Sequence, residues 1–382
     1  MNGRSYIKRP LSLAILLLVC GFCHCQNEVS LTSDNRLKNS IDSLVDQSTI
    51  PFFNEHRKQL SIAIYAKGKT YYYNYLLGTN NSTLPSCKTL YEIGSITKTF
   101  TGYLLAKASV DKKVKLDDDI RTYLDEDYPN LEFNGSPIRL FHLLNHSSGL
   151  PFDFIDRSPF ENLDEDDKVL KLAPIENGYQ PRQILKDLHS IKLDTTPGVN
   201  LKYSNAAAQL LGLILEKAYS LPYTELIENV ITGPLNMKNT FFSVPENKMP
   251  LSTVGYSKSG KMMPHFNSGL AGGLYSSTED LLKYGKTHLD ESNEVIQLTH
   301  TPTWGQIQYY AMGLNWQMEQ KEEKRVWQSG STPGYTSLLA MYPQSDTVIV
   351  LLTNEHDDTS EGDLSKISVK LLTGIKAMVL EK

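Results

Sequence analysis

Hydrophobic and polar positions along the chain follow two different periods, and the strand-like period occurs near both ends. Residues 60–77 are rich in β-branched and aromatic side chains on either side of Lys67-Gly68-Lys69, a composition typical of a β-hairpin. Residues 337–342 and 347–353 are two further apolar runs separated by a short turn. The pattern therefore predicts strands at both ends of the chain.

The helical period dominates the remaining segments, above all between about residue 116 and residue 300. Ser276 and Glu279 match a capping box at the start of one such segment. The clearest predicted helices are 36–50, 139–144, 209–219, 278–288 and 363–380.

These elements predict an α/β (α+β) fold, in which both chain ends form one antiparallel sheet flanked by helices, with a large inserted helical region. We assign residues 26–382 to one domain. Its α/β part is 26–92 and 306–382, and its helical part is 93–305. The seam between the two parts is a natural place for a ligand cleft.

The first 25 residues differ in composition from the rest. Arg4, Lys8 and Arg9 precede an apolar run at 11–19, and small residues follow. The run is shorter than the ~20 residues that span a bilayer but suits the core of a signal peptide. We predict cleavage after residue 25 and export to the periplasm or medium, with no transmembrane span in the mature chain. Acylation of Cys20, as in a lipoprotein, is the alternative.

Charge and residue types exclude several classes of partner. The formal net charge is −5 and no basic stripe occurs, which argues against a nucleic-acid-binding surface. His142 and His146 have the spacing of a zinc-binding helix, but Leu143 stands where such a helix carries glutamate, and no third ligand is evident. We therefore expect neither a metal nor a cofactor.

Ser95 and Lys98 are the first candidates for chemistry. They stand three residues apart where a glycine-bearing turn runs into an apolar segment, so in a helix they share a face. Helix N-terminal N–H groups can stabilise an oxyanion, and a lysine removed from water can accept the serine proton. A helix cap followed by a surface lysine is the alternative, because Ser5 and Lys8 match the same pattern.

Two later segments carry groups suited to the same chemistry. A phenol near an ammonium is held closer to its ionised form, so Tyr203 can act as a base and then as an acid. Asn205 can donate to a substrate carbonyl and accept from Lys98. The glycines of 328–335 let a strand approach a ligand closely. A packed tyrosine and a tight turn between strands are the respective alternatives.

In their order along the chain, these segments resemble those of the serine β-lactamase and D-alanyl-D-alanine peptidase superfamily, and more narrowly its class C β-lactamase branch. The resemblance covers about residues 47–354. Residues 90–102 resemble the nucleophile segment, and 201–220 resemble the second motif. Similar connecting stretches are 142–151, 234–242, 271–285 and 331–343.

The resemblance implies roles for individual residues. Ser95 is implied to be the acylated nucleophile, Lys98 its activating partner, and Tyr203 the relay of a proton to the leaving group. Asn205 is implied to position the acyl side chain, and the backbone N–H groups of Ser95 and Ser331 to form the oxyanion hole.

The third motif departs from the family pattern, which usually begins with Lys or His. Here it reads Gln328, Ser329 and Gly330. A cation at the first position helps to hold the carboxylate of a β-lactam or of a peptide C-terminus, and a neutral amide does so more weakly. On a strand, Arg325 should face away from Gln328, while Lys324 shares its side but lies ~13 Å away.

The sequence thus predicts an exported serine hydrolase that acts through an acyl-enzyme on a small amide, peptide or ester. We favour a D-amino-acid peptidase (carboxypeptidase) or an esterase, with peptidoglycan-derived peptides among the candidate substrates. A class C-type β-lactamase is the alternative within the same chemistry. A penicillin-binding or sensing protein that is acylated without turnover is the alternative from another class.

Overall fold

The computed structural model describes residues 29–78 and 82–380. The predicted signal peptide and the alternative acylation at Cys20 lie outside the described residues. Within the described ranges, nine strands form one antiparallel sheet. These strands are β1 (Ser30–Ser33), β2 (Gln59–Ala66), β3 (Lys69–Gly78), β4 (Trp304–Gln306), β5 (Tyr310–Met312), β6 (Gln317–Gln320), β7 (Lys324–Thr332), β8 (Tyr335–Tyr342) and β9 (Thr347–Thr353).

The strand order is β1-β3-β2-β9-β8-β7-β6-β5-β4, so the first hairpin lies beside the last one. Ala63 of β2 stands opposite Val350 of β9 in this central pair. The prediction of an antiparallel sheet built from both chain ends is therefore confirmed. Strands β4 to β6 were not predicted, because each has only three or four residues, too few to show an apolar alternation.

The described helices surround this sheet. Helices α1 and α9 cover one face, and the long helical insertion covers the other. None of the helices in ranges 29–78 and 82–380 combines the length and apolarity needed to cross a bilayer. The helices are α1 (Ser40–Thr49), α2 (Thr97–Val110), α3 (Glu165–Gly178), α4 (Gln183–Asp187), α5 (Asn205–Tyr219), α6 (Tyr223–Ile227), α7 (Thr278–Thr287), α8 (Glu294–Thr299) and α9 (Ser360–Leu380).

Short two-residue strands tie the loops to this frame. Those at Tyr91–Glu92 and Tyr275–Ser276 pair with each other just before the predicted nucleophile. The other pairs are Glu132–Phe133 with Ser136–Pro137, and Tyr256–Ser257 with Glu355–His356.

Alternation along the central strands builds two apolar cores. Ile62 and Ile64 of β2 are buried against α1 and α9, whereas Ala63 between them faces the helical insertion. Both faces of the sheet are therefore covered, and its central strands are apolar on both sides.

Helix α2 runs through the middle of the larger core. It carries Phe100, Leu104 and Leu105, all fully buried, and it packs against α5, α6 and α8. Because α2 is enclosed in this way, its first turn lies away from solvent. Lys98 belongs to this turn.

Two details of the predicted helices are wrong. Residues 139–144 form only the 3₁₀ turn Leu140–Leu143 instead of an α-helix. The cap of α7 is Ser277, whose hydroxyl accepts from the N–H of Asp280, one position later than the predicted pair of Ser276 and Glu279. Ser276 instead lies in a short strand paired with Tyr91.

Candidate active site

A cleft of about 420 Å³ opens where the helical insertion meets strand β7. Almost all of the side chains that the sequence predicts to take part in chemistry line this cleft or lie directly behind it. Lys98 lies buried behind this surface, and the backbone of Gly330 passes close beside it. The nominated residues that line the cleft are Ser95, Tyr203, Asn205, Gln328, Ser329 and Ser331.

Ser95 sits in the 3₁₀ turn Gly94–Ile96, which leads directly into α2. Gly94 has a φ of +49°, a conformation that favours glycine, and a Cβ atom there would lie 2.7 Å from the backbone nitrogen of Ser331. The turn is therefore pressed against β7. Ser95 remains half-buried, with its side chain facing the cleft.

Lys98 is fully buried one turn further along. Its Nζ lies 3.0 Å from Ser95 Oγ and donates to the carbonyl of Ala271 at 2.7 Å. Burial disfavours the charged form and lowers the pKa of Lys98 to about 7. The predicted loss of preference for the charged form is confirmed. A neutral amine that donates to Ala271 keeps its lone pair free for the Ser95 hydroxyl proton.

Tyr203 completes the contacts of the serine oxygen, because its hydroxyl donates to Ser95 Oγ at 2.5 Å. The prediction that a neighbouring ammonium holds this phenol closer to ionisation is wrong. Burial raises the pKa of Tyr203 well above its usual range, and the negative charge of Glu361 raises it further. In the resting site the phenol is therefore protonated and acts as a donor.

His146 fixes the ring of Tyr203, a role that sequence reasoning missed. The two rings pack with centroids 4.2 Å apart. The Nε2–H of His146 donates to Asn315 Oδ1 at 2.9 Å, and Nδ1 accepts from the N–H of Ser204 at 3.4 Å. Burial lowers the pKa of His146 to about 3, so the ring is neutral. The sequence indicated His146 only as one of two histidines with zinc-binding spacing, although it lies in residues 142–151, one of the stretches that resemble the family.

Asn205 begins helix α5 and faces the cleft. The preceding residue, Ser204, caps the helix by accepting from the N–H of Ala207, which fixes the first turn. The predicted hydrogen bond from Lys98 to Asn205 is wrong, because the amine donates to Ala271 instead. Asn205 is therefore placed to contact a ligand and takes no part in holding the lysine.

The backbone of β7 passes very close to the nucleophile turn at Gly330. A Cβ atom at this position would lie 2.1 Å from the carbonyl oxygen of Ile93 and 2.7 Å from the nitrogen of Ser95. Only glycine permits this approach. A Cβ atom on Gly94 would likewise lie 2.7 Å from the nitrogen of Ser331, so the nucleophile turn and β7 pack backbone against backbone at the cleft.

We expect Gly330→Ala to disrupt this alignment. Overpacking of this kind costs ~1–3 kcal/mol of stability, and a displacement of about 1 Å near the chemistry can slow a reaction ~10²-fold. The rate of ester hydrolysis and the melting temperature measure the two effects. Gly178→Ala is a matched control, because a Cβ atom there meets nothing within 4 Å. Equal activity of both variants would contradict the close approach at Gly330.

In the part of the chain that the structure describes, neither Lys324 nor Arg325 reaches the first position of the third motif. Gln328 is 3% exposed and accepts from the Gln317 amide at 3.3 Å. Lys324 pairs with Glu291 at 2.5 Å. Arg325 turns to the opposite side of β7, where it donates to Ser365 of α9. The expectation that neither basic residue replaces the missing cation is confirmed.

The next two serines of the motif contact a residue that sequence reasoning did not single out. Ser329 Oγ and Ser331 Oγ both donate to the carboxylate of Glu361, the latter at 2.8 Å. Glu361 lies in the first turn of α9 and lines the cleft. The sequence predicted the helix but held no signal that its first turn reaches the third motif.

The chain is similar to several known proteins. A family model described as Beta-lactamase matches residues 39–372. A β-lactamase from Pseudomonas fluorescens is 27% identical over 84% of this chain and 95% of that protein. Protein flp from Staphylococcus aureus is 28% identical over 85% of this chain, which spans 64% of the length of flp.

Solved structures share the fold. A β-lactamase/D-alanine carboxypeptidase from Pseudomonas syringae superposes with a TM-score of 0.71 and covers 88% of this chain and 99% of its own. Sequence identity in that comparison is 22%, so the likeness establishes the architecture alone.

Proposed function

The chain belongs to the β-lactamase family of serine hydrolases, and on this premise we propose that it hydrolyses small amides, peptides or esters through an acyl-enzyme on Ser95. One observation carries the proposal. A single hydroxyl oxygen, Ser95 Oγ, is contacted both by a buried amine whose pKa is about 7 and by a protonated phenol. The amine can accept the proton of this hydroxyl, and the phenol on the other side of the oxygen can donate a proton.

Acylation begins when the Ser95 hydroxyl gives its proton to Lys98 Nζ and Oγ attacks the substrate carbonyl carbon. The negative charge that develops on the carbonyl oxygen is stabilised by the backbone N–H groups of Ser95 and Ser331. The bond to the leaving group then breaks as that group takes the proton of Tyr203, and the Lys98 ammonium restores it. Water repeats the sequence on the ester of Ser95 and releases the acid.

The substrate class follows from the absence of a cation along the described wall of the cleft. A β-lactam, or a peptide ending in D-alanine, presents a carboxylate that Gln328 binds only weakly. We therefore propose a peptidase, amidase or esterase activity ahead of a dedicated β-lactamase. Export through the leader at residues 1–25 completes the proposal.

The rate of acylation is expected to depend on pH through Lys98. Only the neutral amine can accept the serine proton, so the rate rises about tenfold per pH unit below pH ~7 and levels off above it. Single-turnover rates with a neutral ester between pH 5 and 9 measure this profile. A rate still rising at pH 9 would contradict a pKa near 7.

Intact-mass time courses test the proposed function. The protein is mixed in parallel with a short-chain ester, a D-Ala-D-Ala peptide, a penicillin and a fluorophosphonate, with Ser95→Ala as the control. We expect a fluorophosphonate adduct on Ser95 and rapid turnover of the ester. A persistent adduct with every substrate would identify a binder without turnover. The absence of any adduct or product with the wild-type protein would refute the proposed function.

A further inference from the structure

The charge of the cleft points to the substrate that it accepts. Among the described residues that line it, Glu361 is the only side chain with a formal charge. His146 is neutral because its pKa lies near 3, and Lys98 is buried behind the wall with a pKa of about 7. The cleft therefore presents one fixed negative charge to a ligand.

The carboxylate of Glu361 has hydrogen bonds but no cationic partner within the part of the chain that the structure describes. It accepts from the hydroxyls of Ser329 and Ser331, and no Lys, Arg or His forms an ion pair with it there. A carboxylate has about four acceptor positions, so two hydroxyls leave room for further donors. Glu361 also lines the cleft.

A purely structural explanation accounts for only part of this arrangement. A glutamate in the first turn of a helix interacts favourably with the helix dipole, and α9 begins at Ser360. Asp363 lies in the same first turn and Asp357 lies just before the helix, and both of these acids are paired with Arg57. Glu361 instead turns to the third motif.

Glu361 and Tyr203 line the same cleft. The charge of Glu361 raises the pKa of the Tyr203 phenol, which in the proposed function gives its proton to the leaving group. Ser331, which contacts Glu361 through its hydroxyl, supplies a backbone N–H to the oxyanion hole in the same proposal. In that proposal Glu361 and Tyr203 share the leaving-group side of the cleft, and Ser331 lies next to Glu361.

We propose that Glu361 binds an ammonium group on the leaving group of the substrate, so that the enzyme prefers cationic amine-bearing esters or amides and rejects those with a carboxylate there. The inference rests on the proposed function and names its substrate class. A charge-assisted hydrogen bond to the carboxylate favours the ammonium, and repulsion in a partly desolvated site disfavours an anion. Because Gln328 supplies no positive charge, the site also gives a substrate carboxylate little stabilisation.

Three aryl acetates with the same acyl group test this directly. Their phenol carries a meta aminomethyl, ethyl or carboxymethyl group, which are cationic, neutral and anionic at pH 7. We expect kcat/KM to fall in that order, about tenfold or more from the cationic to the anionic ester. In Glu361→Gln the amide keeps hydrogen-bonding capacity for both serines, and the cationic-to-anionic ratio should fall at least tenfold.

The control is Glu322→Gln, which removes the same charge from a side chain that is 93% exposed and does not line the cleft. It should keep the wild-type ratio. Hydrolysis of all three esters with the same ratio in wild type and Glu361→Gln would overturn the inference and leave the proposed function intact. Failure of wild type to hydrolyse any ester, together with no fluorophosphonate labelling of Ser95, would refute both.

Discussion

Replacing Lys98 with Met is expected to slow acylation of Ser95 by about 10²- to 10⁴-fold, the range that a positioned general base supplies. Met has a similar volume and no charge, so it suits a fully buried position. The substitution leaves the carbonyl of Ala271 without its donor, which costs ~1–3 kcal/mol, but it also removes an amine that is costly to dehydrate. The loss of rate therefore reports on chemistry and not on folding.

Single-turnover mass spectrometry measures that rate, and thermal melting verifies the fold. Lys107→Met is the matched control on the same helix, because Lys107 pairs with Asp111 at the surface. We expect the control to acylate at the wild-type rate. If the Lys98 variant acylated within tenfold of wild type, the amine would not be the base.

Removing only the hydroxyl of Tyr203, as Tyr203→Phe, is expected to slow turnover about 10²- to 10³-fold. The ring contacts with His146 and Lys98 are kept, whereas the donor to Ser95 Oγ is lost. Because the phenol supplies the proton of the leaving group, the loss should be largest for poor leaving groups such as amides. An activated aryl ester needs little protonation and should lose least.

Steady-state rates with an amide and an aryl ester of the same acyl group measure this difference. Tyr219→Phe removes a phenol that contacts Asp111 far from the cleft, and it should leave both rates unchanged. Equal losses for the two substrates would show that Tyr203 orients Ser95 without acting as the acid.

The central strands and several helices could be predicted from the sequence because they depend on local periodicity. The alternation in residues 60–77 and 337–353 determined the central strands, and 209–219 and 278–288 formed helices as expected. Strand β7 was harder, because its serines and Gly330 have low strand preference. It is held as a strand by pairing with β8 across its length from Val326 to Thr332.

The nominated side chains were found because they stand in recognisable motifs, but their partners come from distant segments. The carbonyl of Ala271 carries no side-chain signal, and Glu361 reaches the site only through the packing of α9. The error on Tyr203 has a physical cause of the same kind. Proximity to a lysine suggests a lowered pKa, but burial of both groups leaves the phenol protonated and the amine close to neutral.

Lys98, one turn after Ser95, can accept the serine proton only when its amine is neutral, and titration of this amine measures that state. In protein labelled with ¹³C at the lysine Cε, the resonance missing from Lys98→Met belongs to Lys98, and its shift can be followed from pH 5 to 11. We expect a midpoint near 7. A midpoint at the ordinary lysine value of ~10.4 would contradict this expectation.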